Sequence, residues 1–455
     1  MSRRLDSGIW FFILYLALLL WAPIPLGSNR PWSWAVLALW VLALALWWLA
    51  GIIRGKFAFP TILRDARPML LCGALWLCYV WLQLLPLPIG LLKLLSPDAA
   101  RWYLAAAAPD APGAVPLTLD RYATLEAACK STAYIAFFAL SLILLNSRDR
   151  IRFAAYALIA SGVFQAMYGA LTSLQSVGQV ASGTFVNRNH FAGYLAMCLS
   201  VGIGVLIANL SGAQHQSWKR FFEGMIQWII SPKMALRLGL VIMVVALVLT
   251  RSRMGNSSFF ISLMITGAIG LLLSKRATKS MVILLVSLVA IDTFIVGTYF
   301  GTQRVVERIA QTTAETEDRD EVAGYAAQMW KDYPVFGSGL GSFHSVFPRY
   351  SGEGTQVSYT HAHNDYLEFA AEAGAVGVSL LGLMVLMSFA TALRAHHQRR
   401  DPLMRGLSFA AMMGILALMI HSFADFNLQI PSNALTFMLL LAFAWISLYH
   451  VDPHA

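Results

Sequence analysis

The chain has 455 residues, 58% of them hydrophobic and only 12% charged, with a net charge of +10. A soluble domain carries about twice that charged fraction, so the composition excludes a water-soluble globular enzyme and predicts an all-α polytopic membrane protein. The mean hydropathy of +0.64 agrees.

Apolar runs of about the length a bilayer span requires fall at 9–26, 32–53, 69–92, 123–145, 153–173 and 190–210, then at 236–250, 256–274, 280–300, 366–393, 405–423 and 433–450. Twelve transmembrane helices are predicted. The first follows Arg3 and Arg4 like a signal peptide, but Pro23-Ile24-Pro25-Leu26 offers no small-residue cleavage site, so it reads as a retained span. With a cytoplasmic N-terminus and alternating spans, the inner segments hold 20 of the 33 basic residues and 6 of the 23 acidic ones. That asymmetry orients the chain with both termini inside. It also accounts for the basic pI by topology, so no nucleic-acid partner is required. The expected division is helices 1–9 over 1–300, an outer loop domain with the reactive segment over 301–364, and helices 10–12 over 365–455.

The outer segments differ in content. Residues 93–122 are rich in Ala and Pro, hold no cluster of reactive groups and are assigned no role. Residues 301–364 begin with a charged, helical stretch from Arg304 to Lys331. They continue through Pro334-Val335-Phe336 to Gly337-Ser338-Gly339-Leu340-Gly341. That glycine run lacks the strand–helix context of a dinucleotide loop and reads as a tight turn, and no phosphate-binding GxxxxGK[ST] is present. The four cysteines, Cys72, Cys78, Cys129 and Cys198, lie in apolar runs without ligand spacing.

The densest polar stretch is Thr360-His361-Ala362-His363-Asn364-Asp365, running on to Glu368, Glu372, Gly374 and Gly377. Hydrocarbon disfavours so many polar groups, so they read either as a water-facing site at a membrane surface or as simple helix caps. His361, His363 and Asp365 spell part of a metallohydrolase HxHxD pattern, but Tyr366 stands where its next His belongs and no closed ligand set assembles. No metal or other cofactor is assigned. Arg188, between Asn187 and Asn189, and Arg251 and Arg253, around Ser252, put positive charge on the outer face. They read as arginines reaching for lipid headgroups or as forks for phosphate oxygens. Asp292, inside an apolar run, is either an arginine's partner or a packing group. A histidine base taking a hydroxyl proton, opposite arginines that stabilise a departing pyrophosphate, suits a transferase with a lipid diphosphate donor. Intramembrane charge also marks ion pathways, which keeps a transporter as the alternative.

Several segments resemble the O-antigen ligase and polymerase family. They are Gly183-Thr184-Phe185-Val186-Asn187-Arg188-Asn189-His190-Phe191-Ala192, the Ser252-Arg253 turn, Pro334-Val335-Phe336-Gly337, and His363-Asn364 with Gly374 and Gly377 beyond. His421-Ser422-Phe423-Ala424-Asp425 with Pro431 completes the set. The resemblance covers about 180–445. It implies a GT-C-like helical bundle with a periplasmic helical loop domain, in the inner membrane of a bacterium. The implied reaction moves a glycan from undecaprenyl diphosphate to a sugar hydroxyl, on lipid A-core in a ligase, without metal or nucleotide sugar. By the same resemblance His363 is catalytic, and Arg188 and Arg253 contact the diphosphate. Arg251, Asn187, Asn189, His361, Asn364, Glu368 and Arg319 make up the remaining substrate-binding set. A polymerase, or a protein-glycosylating relative with the same donor chemistry, is the alternative within the family.

Overall fold

The computed structural model describes residues 2–106, 113–175, 179–210, 232–273, 321–351 and 359–451. In chain order its helices are α1 (Ser2–Trp21), α2 (Pro31–Ile53), α3 (Thr61–Asp65), α4 (Arg67–Leu82), α5 (Ile89–Leu95) and α6 (Pro97–Ala106). These are followed by α7 (Arg121–Leu144), α8 (Arg148–Leu174), α9 (Arg188–Leu210), α10 (Pro232–Leu249) and α11 (Arg253–Leu273). The remainder are α12 (321–332), α13 (Phe343–Val346), α14 (Asp365–Gln398), α15 (Pro402–His421) and α16 (Pro431–Tyr449). Among the described residues eight helices are long and apolar enough to cross a membrane, and Gly8–Trp21 and Arg67–Leu82 are shorter apolar stretches. This is a helical, multi-pass membrane protein. The run expected at 280–300, with Asp292, and the first part of the expected helical stretch, 304–320, lie outside the described residues.

The run expected at 69–92 does not continue as one helix. It stops at Leu82, because Pro86 and Pro88 lack amide hydrogens and hold their neighbours extended. Pro86–Pro88 instead forms β1, paired antiparallel with β2 (Ala114–Pro116), with Leu87 opposite Val115. The segments around this ribbon share a second hydrophobic core with the chain after 320. Leu92, Ala99 and Val115 pack there with Val322, Phe343 and Ala362. Residues 93–122, which carry no reactive cluster, thus supply half of a small domain that supports the reactive segment.

Inside the main bundle, α9, α15 and α16 form the centre. Their apolar windows are 89%, 78% and 89% buried, against 28% for α2 and α14. The α9–α15 contact is close because Gly204 and Gly406 face each other's backbone, where a Cβ would come within 2.3 Å of a carbonyl oxygen. The starts of α9, α11, α14 and α16 gather at one end with the ends of α10 and α15. Ala181 N donates to Leu249 O at 3.1 Å, and Asp365 N to Ser422 O at 3.0 Å. At the opposite end Arg148 pairs with Asp401, and Arg399 Nη2 donates to Leu448 O and His450 O.

Helix α14 is interrupted at Gly374, whose φ of 59° is left-handed. The break frees peptide groups that the 334–339 turn then pairs. Ala375 N and Val376 N donate to Pro334 O and Val335 O, while Ser338 N and Gly339 N donate to Ala371 O and Glu372 O. Only glycines fit this seam: a Cβ on Gly337 would stand 2.1 Å from Glu372 O, and one on Gly374 2.4 Å from Val335 O.

Candidate functional site

The reactive segment enters α14 through an N-cap. Asn364 Oδ1 accepts from Leu367 N at 3.1 Å, and Asn364 Nδ2 donates to Phe423 O at 3.1 Å. Asp365 Oδ2 accepts from Ser422 Oγ at 2.7 Å and Leu428 N at 3.1 Å. These bonds fasten the start of α14 to the 422–428 loop between α15 and α16. The residue before the cap, His363, is left-handed at φ 51°. For a non-glycine residue that conformation is sparsely populated, and it persists only where the surrounding contacts impose it.

Asp425, buried in that loop, is where the segments meet. Its Oδ1 accepts from Phe426 N at 2.8 Å and lies 3.4 Å from His190 Nε2 and 3.9 Å from His363 Nδ1. Burial alone would raise its pKa, but the imidazole of His190, the charge of His421 and the Phe426 amide hold it well below the usual carboxylate range. The next residue, Phe426, is ringed by three imidazoles. His361 stacks on it with centroids 4.2 Å apart, and His190 and His363 meet it edge-on at 4.5 and 4.9 Å.

Glu368 and Glu372 share a face of α14, a spacing that makes either a candidate to orient an imidazole. The imidazole that Glu368 orients is that of His361, whose Nδ1 is 2.7 Å from Glu368 Oε1, while Ala362 N donates to Oε2 at 2.7 Å. Burial opposes a charge on His361, but the Glu368 carboxylate more than offsets it and raises the pKa above the ordinary imidazole value. Glu372 Oε1 accepts from Phe343 N at 2.9 Å, holding the small domain to α14. Both histidines reach the Phe426 ring, His361 stacked and His363 edge-on, with His363 itself in a left-handed turn.

The arginines arrive on other helices. Arg188 is the first residue of α9, two residues before His190, and Asn187 Oδ1 accepts from Asn189 N at 2.8 Å to start that helix. Arg253 is the first residue of α11, whose Ser252 Oγ accepts from Gly255 N at 3.2 Å, and Arg251 precedes it in a left-handed turn at φ 53°. The first turns of α9 and α11 touch: a Cβ on Gly255 would meet the Ala192 methyl at 2.5 Å. Two positive helix starts therefore sit side by side, an arrangement suited to anions. Asn433 Nδ2 ties this corner to the loop by donating to His190 O at 2.9 Å and Asn427 Oδ1 at 3.0 Å.

Of the residues predicted from sequence, His361, His363, Asn364 and Glu368 come together, and Arg188 with Asn187 and Asn189 joins them through His190 and Asp425. Arg251 and Arg253 adjoin by the α9–α11 contact. Arg319 lies outside the described residues. Among the described residues no group of three metal-ligating side chains is placed to hold an ion. Sequence reasoning assigned nothing to His190, Asp425 or Phe426. The signal for His190 was its place two residues after Arg188, on the first turn of the same helix. An imidazole on a buried carboxylate can take up a proton, and paired guanidinium groups can hold phosphate oxygens.

A search of curated proteins finds no match. Residues 238–382 match the O-antigen ligase family. That span takes in the Arg251–Arg253 turn and the whole of 360–374, and leaves Arg188 and Asp425 outside. The likeness to the O-antigen ligase family thus covers residues 238–382, about a third of the chain.

Proposed function

We propose that this protein transfers a glycan from undecaprenyl diphosphate to a sugar hydroxyl, on lipid A-core or a comparable acceptor, at the periplasmic face of a bacterial inner membrane. Both termini are cytoplasmic in this reading, and the end of the bundle bearing His363 is the outer one. The observation that carries it is the shared carboxylate: Asp425 faces both His363 and His190, and His190 lies two residues from Arg188. One constellation therefore joins a proton acceptor to the helix start suited to the leaving group.

In the reaction, His363 takes the proton of the acceptor hydroxyl as its oxygen attacks the anomeric carbon of the donor glycan. The bond from that carbon to the diphosphate oxygen breaks, and the electron pair departs with the diphosphate. Arg188 and Arg253, with Arg251 beside them, stabilise the charge that develops there. Asp425 balances the imidazolium of His363. Asn187 and Asn189 shape the arginine corner, Asn364 and Glu368 hold the 361–363 segment, and His361 supports Phe426 beneath His363.

The test is vesicle reconstitution with a radiolabelled lipid-linked glycan and an acceptor. Covalent label on the acceptor is expected, whereas label that crosses the bilayer without joining an acceptor supports a transporter and defeats the proposal. Orientation is checked separately in a background free of native cysteines. A cysteine at Ser182 reacts with an impermeant thiol reagent from outside and one at Gln398 does not; the reverse result inverts the topology and removes the periplasmic site.

A further inference from the structure

Asp365, the first residue of α14, is 1% exposed and makes no ion pair among the described residues. Its two oxygens are used unequally. Oδ2 accepts from both Ser422 Oγ and Leu428 N, whereas Oδ1 is buried without a hydrogen-bond partner among the described residues. An ionised carboxylate has two equivalent acceptors, and leaving one of them buried and bare is costly. A neutral carboxyl divides the work: its carbonyl oxygen accepts and its other oxygen carries the proton. Burying that hydroxyl unpaired costs less than burying an uncompensated charge.

The charged groups around it point the same way. Glu368, one turn along α14, and Asp425, on the facing loop, both bear on Asp365 as anions. Each has its own compensation. Glu368 Oε1 lies 2.7 Å from His361 Nδ1, and Asp425 has the imidazole of His190 and the charge of His421. Glu372, two turns along α14, is bound to Phe343 N and brings no positive charge. Lys130 of α7 borders the same cavity as Asp365, but Glu126 holds it at 2.6 Å and it lies over the Trp34 ring at 5.0 Å. The start of α14 does favour an anion, yet this carboxyl accepts from Leu428 N on the loop. A helix end also offsets less than the burial of a bare charge costs. Burial and two anionic neighbours therefore favour the protonated form.

We infer that Asp365 is held as a neutral acid and is a positioning residue for the transfer, clamping the Asp425 loop to the start of α14 without adding another negative charge beside His363. The inference rests on the reaction proposed above and adds to it the means by which His363 stays a base. A further anion near Asp425 would stabilise the imidazolium of His363 before the acceptor arrives, and an imidazolium cannot take a proton. The Asp365 proton itself stays in place throughout.

Infrared spectroscopy and a pair of substitutions test it. The full chain, with aspartate labelled by carbon-13 at the side-chain carboxyl, is placed in nanodiscs at about pH 7, where an ordinary aspartate is ionised. The label separates aspartate from Glu372. Wild type should show the carbonyl stretch of a protonated aspartic acid, and Asp365→Asn should lose it. Asp365→Asn copies the neutral acid, so its transfer should stay close to wild type, with the acid limb of the pH–rate profile unmoved. Asp365→Ala leaves Ser422 Oγ and Leu428 N without their acceptor and should lower turnover about tenfold. A wild type without the band, or a band that persists in Asp365→Asn, overturns the inference. So does an acid limb that moves down in Asp365→Asn, which marks the loss of a real anion, or a loss of turnover as deep as that of Asp365→Ala. The infrared reading needs no turnover, so absence of transfer by wild type counts against the reaction alone.

Discussion

Both ends of the bundle carry arginines, and they are used differently. At one end Arg148 pairs with Asp401, and Arg399 donates to Leu448 O at 2.5 Å and His450 O at 2.7 Å. Arg150 donates to Gly8 O at 3.3 Å with its guanidinium over Phe12. These side chains fasten helix ends to one another. At the other end Arg188 heads α9 and Arg251 occupies a left-handed turn, and neither forms an ion pair among the described residues. The residue type is the same; what differs is whether the protein supplies the partner. Positive charge counted along the chain does not distinguish the two ends; the contacts do.

The largest expected effect comes from His363, the base in the proposed reaction. His363→Ala should cut transfer by about 10²–10⁴, the usual contribution of a general base, while binding of a diphosphate lipid in a pull-down survives. Substantial residual transfer would remove His363 from the mechanism. Recovery of chelator-treated wild type by zinc would bring the metal reading back.

The arginine contrast itself is tested by the same substitution at both ends. Arg188→Lys keeps the charge and loses the fork, so turnover should fall about a hundredfold with the melting temperature preserved. Arg399→Lys should do the opposite, lowering the melting temperature with turnover per folded molecule intact. Equal kinetic losses at the two ends would erase the distinction.

A smaller change is expected at the hub. Asp425→Asn should reduce turnover about 10–100-fold, as when a group that orients another is lost. It should also move the acid limb of the pH–rate profile down, because an imidazole without a neighbouring carboxylate gives up its proton more readily. A purely structural Asp425 would leave that limb where it is. The smallest effect concerns His361, whose pKa lies above its ordinary value of 6.5 in the folded protein. Its contribution to stability is complete below about pH 6.5 and fades as pH rises through the folded value. His361→Gln should flatten that decline in melting temperature; an identical decline in both proteins assigns it to another group.

Much of the bundle was legible from hydropathy, because hydrocarbon allows few alternatives to an apolar helix. The run at 123–145 corresponds to Arg121–Leu144 and that at 405–423 to Pro402–His421. Where runs misled, as at 69–92, the composition stayed apolar while Pro86 and Pro88 ended the helix. The small domain was less legible, since its halves lie more than 200 residues apart and neither has a core alone. The reactive residues near 363 were visible as polar density. Their partners were not, because the contact of Asp425 with His190 and the left-handed turn at His363 depend on loops brought together only by the packed helices.

The break at Gly374 sets a height. Helix α14 has 34 residues, about 51 Å, whereas crossing the hydrocarbon takes about 30 Å. The 24 residues after Gly374 are enough for the crossing, so the nine before it stand as a rigid post of about 14 Å with Asn364 at its top. The glycine seam fixes that post to the small domain and prevents it from sinking or tilting independently. In the proposed reaction a headgroup tethered to a tail in the bilayer rises only so far, and the post would hold His363 at a constant level for it to reach. Adding or removing one residue between Asp365 and Gly374 would therefore alter elevation and bearing together, by about 1.5 Å and 100°.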